Sequence, residues 1–174
     1  TGRIAALTTD MQQVAKLKSE VLAFLDVCPR DTLQAHPLTL LVLMRRMFTW
    51  QQIPKMLELR ALLLAGIEAH PELPDAERDN LLGECDLIMS FLQYNDIAAM
   101  SRLHRSAAAR MTRPAISIRN EGSWTFGSPS VLMMFHRTPG QLGAELDAMN
   151  ACMPHYYRLT NGHGQGAERI MDAE

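Results

Sequence analysis

Residues 80–111, NLLGECDLIMSFLQYNDIAAMSRLHRSAAARM, decide the fold class of this chain. Leu81, Leu82, Cys85, Ile88, Met89 and Leu92 recur at intervals of three, four and seven, which puts them on one stripe of a helix. Asn95 tolerates the left-handed backbone that stops a helix, and the Asp96 side chain can cap the next one. Ile97, Met100, Leu103, Ala107 and Met111 then make a second stripe. Two amphipathic helices joined by a two-residue polar turn form an antiparallel hairpin. Each half carries more apolar surface than the other covers, so the unit needs neighbours, as the units of helical-repeat scaffolds do.

Proline punctuates the chain on either side. A helix is predicted from Thr9 to Cys28, with Val14, Leu17, Val21, Leu25 and Cys28 on its stripe and Pro29 as its stop. Pro37 and Pro54 each suit a first helical position, where the missing N–H costs nothing. They open a second helix (Leu38, Leu41, Val42, Arg45, Phe48) and a third (Met56, Leu57, Leu59, Leu63, Leu64, Ile67, to about His70). Asp75 and Glu77 match the positive end of the fourth, which with the fifth is the hairpin above. Residues 112–127, TRPAISIRNEGSWTFG, break the pattern and read as an irregular insert, of a length that is uncommon in compact domains and often functional. Ser128-Pro129 and Thr138-Pro139 restart helices, Pro154 is expected to kink or end the last of these, and Asn161 to Gly166 link to a final helical pattern from Ala167. The sum is an all-α chain of about eight helices, stacked as antiparallel hairpins in a single helical-repeat domain over 1–174. The first residue is Thr and the helical pattern still runs at the last, so the chain is read as a piece of a longer protein.

Composition sets the bounds on function. Hydrophobic residues make up 47% and charged residues 21%, as in ordinary globular proteins, and twelve Met suit helices. A net charge of −2 gives no whole-chain attraction to nucleic acid or anionic lipid. The charge is nonetheless segregated. Glu68, Glu72, Asp75, Glu77, Asp79, Glu84, Asp86 and Asp96 face only Arg78 between Ala61 and Met100. Arg102, Arg105, Arg110, Arg113, Arg119 and Arg137 face only Glu121 between Ser101 and Arg137. These runs are either solvated faces of neighbouring helices that attract each other or a basic face for an anionic ligand or partner. Cys28, Cys85 and Cys152 have neither metal nor redox spacing, no apolar run is long enough to span a bilayer, and a reducing, cytoplasmic setting is expected.

HPLTLLVLMRRMF (36–48), IPKMLELRALLL (53–64), ERDNLLGECDLIMSFLQYNDIAAMSRLH (77–104), GSWTFGSPSVLMMFHR (122–137) and MPHYYRLTNGHGQGAE (153–168) together resemble one family. It is the helical-repeat region of large ATP-dependent, maltose-regulator-like LuxR-type bacterial transcription regulators. The resemblance covers most of the chain. It implies a tetratricopeptide-like, right-handed superhelical array between a nucleotide-binding module and a DNA-binding helix-turn-helix. The chain has no G-x-x-x-x-G-K-[ST] and no recognisable helix-turn-helix, so ATP and DNA contacts are not carried over to its residues.

The expected role is therefore a regulatory module, not an enzyme and without cofactor or metal, that receives a small-molecule or protein effector on a concave face and relays it to sibling modules. DNA would be met only through a module outside these residues, and no membrane is involved. The candidate binding residues are Trp124, Phe126, His136, Arg137 and Tyr156: aromatics beside arginine are frequent anchors, though the first two can equally plug a groove and Tyr156 can lie between stacked hairpins. Arg102, Arg105, Arg110 and Arg113 offer the alternative of direct nucleic-acid binding. His104 reads as a hydrogen-bonded core histidine; an enzyme would need it, or His136, beside a carboxylate such as Glu84 or Asp86. Gly162, Gly164 and Gly166 lack the preceding strand of a phosphate loop and suit a helix end and close helix approach.

Overall fold

A computed structural model describes residues 2–93, 96–119, 139–166 and 168–169. Among them are seven α-helices and no strand: α1 (Gly2–Val27), α2 (Arg30–Gln34), α3 (Pro37–Thr49), α4 (Ile53–Ala69), α5 (Asp75–Ser90), α6 (Ile97–Arg110) and α7 (Leu142–Leu159). The short α2 after Pro29 was not anticipated, and the helix expected from Ser128 falls outside the described residues. The fold class is thus all-α, with seven described helices where about eight were expected.

The antiparallel hairpin of α5 and α6 forms as expected, though not every stripe residue is buried. Asp96 caps α6 by accepting from the Ala99 amide at 2.8 Å, and α5 tightens into a 3-10 turn at Phe91–Gln93 before the link. Asn80 bonds Thr112 at 3.2 Å, Asp86 accepts from Ser106 at 2.7 Å and Ser90 meets His104 at 3.0 Å, so the two helices run antiparallel. Their close approach depends on Gly83, where a Cβ would stand 2.4 Å from Met111 Cγ and 3.3 Å from the Ala107 carbonyl. On α6 the buried face is Ile97, Met100, Ser101, His104 and Ala107, with Leu103 only partly covered. The expected stripe is therefore rotated toward Ser101 and His104.

Two hydrophobic cores meet on α5. Leu81, Cys85 and Ile88 join Leu40, Leu41, Met44 and Met47 of α3 and Met56, Leu59 and Leu63 of α4 in the first. Leu87 and Phe91 join Met149, Cys152, Met153 and Tyr156 of α7 in the second, and Phe48 packs against both. The α3 stripe differs from the one expected: Leu38 and Val42 are exposed, because almost every position from Leu38 to Met44 is apolar and periodicity cannot choose the inner face. Val14 and Leu17 of α1 are also exposed, and among the residues of that helix whose side chains are described, 10–27, only Leu25 is buried.

Past α6 the chain is no longer a run of hairpins among the described residues. Ser101 bonds the Ala148 carbonyl at 3.3 Å, His104 meets Cys152 at 3.5 Å and Arg158 bonds the Ala108 carbonyl at 3.2 Å, so α7 lies parallel to α6. Helix α7 starts at Leu142 after a turn at Pro139-Gly140, not at Pro139. It also runs through Pro154 to Leu159. Pro154 removes one backbone bond, to the Asn150 carbonyl, and both residues lie on the exposed side, while Cys152, Met153, Tyr156 and Leu159 anchor the opposite side.

Candidate functional site

The wall of the site is laid down by one buried carboxylate. Glu84, wholly buried on α5, accepts from the Ile116 amide at 2.8 Å, the Ser117 amide at 2.6 Å and Arg113 Nη1 at 3.0 Å. Asn80, one turn earlier, accepts from the Thr112 amide at 2.9 Å, and the Ala115 amide donates to the Leu159 carbonyl at 2.7 Å. Residues 111–119 have no helix or strand of their own, so these side-chain acceptors do what a ladder would do elsewhere. Ala115 and Ile118 point into the second core. The strip is fixed, and it faces α3.

Between them lies a cavity of about 430 Å³, lined by Val42, Arg45, Arg46 and Thr49 of α3, residues 116–119 of the strip, and His163 from the turns after α7. Val42, Arg45, Arg46 and Thr49 are spaced three, four and seven apart, so they share one face of α3, the face opposite its buried Leu40, Leu41, Met44 and Met47. The Arg45 guanidinium lies 4.2 Å from the Phe91 ring centroid and 5.5 Å from that of Phe48, and its Nη1 donates to Thr49 Oγ1 at 3.2 Å. Stacking of this kind contributes about 0.5–2 kcal/mol and holds the cation in one orientation. Arg46 sits over the Trp50 ring at 5.7 Å. Asn161, Gly162, Gly164 and Gly166 all have positive φ, which coils the turn tightly enough to return His163 against α7, its Nδ1 2.8 Å from the Tyr156 hydroxyl.

The electrostatics are one-sided. Burial, and Arg46 beside it, pull the Arg45 guanidinium below its ordinary range, against an opposing effect of Tyr156. Burial and then the Arg45 charge lower His163, which disfavours its charged form. Burial raises the Tyr156 phenol, with Arg45 opposing. Among the described residues no carboxylate pairs with Arg45, Arg46 or Arg119, and none lines the cavity.

Of the residues singled out in the sequence, Trp124, Phe126, His136 and Arg137 lie outside the described residues. Tyr156 is fully buried between His104, at 4.8 Å ring to ring, and His163; it supports the cavity from beneath rather than facing an open groove. His104 is a core residue held by Ser90 Oγ and Cys152 Sγ, with burial first and His155 second depressing its pKa to about 4. The arginine stripe is partly spent on α5: Arg110 pairs with Asp79 at 3.3 Å, and Arg113 with Glu77 at 3.2 Å and Glu84 at 3.0 Å. That is the mutual attraction of the acidic and basic runs. The sequence reading missed Arg46, Thr49 and His163, and placed Arg45 only on the stripe of the second helix. The available signal was the four-residue α3 face, obscured by the apolar run before it.

Cys85 and Cys152 are buried free thiols, and burial raises both, Cys85 to about 11. Among the described residues no His, Cys, Asp or Glu group is placed to hold a metal ion, and no helix is long and apolar enough to cross a membrane. No protein-family model matches the chain, and no curated protein or solved structure is significantly similar to it.

Proposed function

We propose that the chain is a regulatory ligand-binding module, a tetratricopeptide-like helical domain of the kind found in maltose-regulator-like LuxR-type transcription regulators. The single observation that carries the reading is the cavity of about 430 Å³ between α3 and the Glu84-anchored strip. Small-molecule sites are typically clefts of about 300–1,000 Å³ with a few convergent polar groups, and this one has the volume and the polar groups, with Val42 and Ile116 as its apolar part. It also stands where the two cores adjoin, beside Phe48 and Phe91. An effector there touches α3, which belongs to the first core, and the strip, which belongs to the second. Differential affinity for two arrangements of these halves is the physical content of a relay, and couplings of about 1–3 kcal/mol are usual. Sibling nucleotide- and DNA-binding modules would receive that signal.

The alternative, nucleic-acid binding through residues 102–113, has less support. Arg110 and Arg113 already face α5 carboxylates, which leaves Arg102 and Arg105 as the cations of that helix with no ion pair among the described residues. The test is a thermal-shift and calorimetric screen of neutral and charged metabolites against the chain and against Val42→Trp, which fills the cavity from an exposed position. A compound that raises Tm in the first and not in the second supports the reading. Silence across the screen, or a response that Val42→Trp leaves intact, overturns it.

A further inference from the structure

We infer that the cavity binds a small organic phosphate, its phosphoryl group gripped by Arg45, Arg46 and Arg119 and its carbon body resting on Val42 and Ile116. This rests on reading the cavity as the ligand site. Three arginines from two elements line one cavity, and among the described residues no acid pairs with them. That arrangement is unfavourable without an anion, since like charges brought together on a partly dry wall repel. Phosphate suits it better than a single carboxylate, because a dianion offsets more of the charge and its oxygens accept several charge-assisted bonds at once.

The rest of the lining agrees. Arg45 is held by Phe91 and Phe48, so one guanidinium is oriented before any ligand arrives. Thr49 Oγ1 accepts from it at 3.2 Å and gives its own proton to the Arg45 carbonyl at 3.1 Å, which fixes the cation further. The Ile116 and Ser117 amides are turned away to Glu84, so the recognition is by side chains rather than by a backbone phosphate loop. The apolar side chains leave a surface that a bare inorganic ion would not use. Arg46 comes from α3 and Arg119 from the strip, so the phosphoryl group bridges the two halves of the molecule.

Calorimetric titration and thermal shift of the chain with glycerol 3-phosphate, with glycerol as the uncharged counterpart, tests this directly. The expected result is saturable binding of the ester and none of glycerol, with affinity falling as salt is raised. Arg46→Gln and Arg119→Gln, both at exposed positions, should each weaken it about tenfold or more. An absence of heat and of any Tm shift with the ester overturns the inference, as does binding that neither variant weakens. Maltose or another neutral compound that binds in a Val42→Trp-sensitive way, while the ester does not, overturns the phosphate and leaves the ligand site standing.

Discussion

Glu84 places a carboxylate in the interior and surrounds it with two amides and one arginine. Removing one partner of such a buried set strands the others, which typically costs about 3–5 kcal/mol. Glu84→Ala should therefore lower the urea-unfolding free energy by about that amount and loosen the 111–119 strip, giving faster amide exchange at Ile116 and Ser117. A loss under about 1 kcal/mol would mean the strip is held by other means. His104 makes a separate prediction. Its pKa of about 4 in the folded chain against 6.5 as the ordinary value means the unfolded state takes up the proton first as pH falls. The contribution to stability is whole above about pH 6.5, declines toward pH 4 and is on the order of 3 kcal/mol. His104→Gln should flatten the difference between stability at pH 7 and pH 5 relative to the parent; parallel pH profiles would contradict the placement. In the sequence, His104 was legible as a core histidine from its position on the α6 flank. Glu84 was not legible, since it stands in an acidic run where seven other carboxylates look alike and only tertiary position separates it.

Helices were legible wherever their stripes had contrast. On α5 and α6 the polar residues between apolar ones fix the phase, and Asp96 caps as its side chain predicts. Helix α3 shows the opposite case, for PLTLLVLM offers apolar residues on every side and the phase is decided by what α4 and α5 bury. This is why Val42 and Arg45 were expected on one stripe with Leu38 and Leu41, and Arg46 and Thr49 went unnoticed beside them. Pro154 misled for a different reason: one lost bond on the exposed side of an otherwise anchored helix does not stop it. The α5–α6 hairpin makes its own prediction at Gly83. A methyl there meets Met111 Cγ and the Ala107 carbonyl, so Gly83→Ala should destabilise by about 1–3 kcal/mol despite the better helix propensity of Ala. A gain in Tm would show that Met111 and the helices yield freely.

At the scale of the whole molecule, two cores share α5 and are bridged again by a strip, a turn and a cavity. The all-α class and the stacking of α3 on α4 and of α5 on α6 follow from short links and matched stripes. The parallel run of α7 against α6 does not, because a long connection leaves direction to packing alone. The cavity is likewise a product of assembly: its residues lie on α3, in 116–119 and at 163, far apart along the chain and without a shared motif. Its arginines supply the most direct measurement. Side-chain Nε–Hε NMR resonances of Arg45, Arg46 and Arg119 should shift together and saturably as glycerol 3-phosphate is added, while those of Arg30 and Arg102, exposed elsewhere, stay in place. Equal, unsaturated drift of all the exposed arginines would contradict a built site.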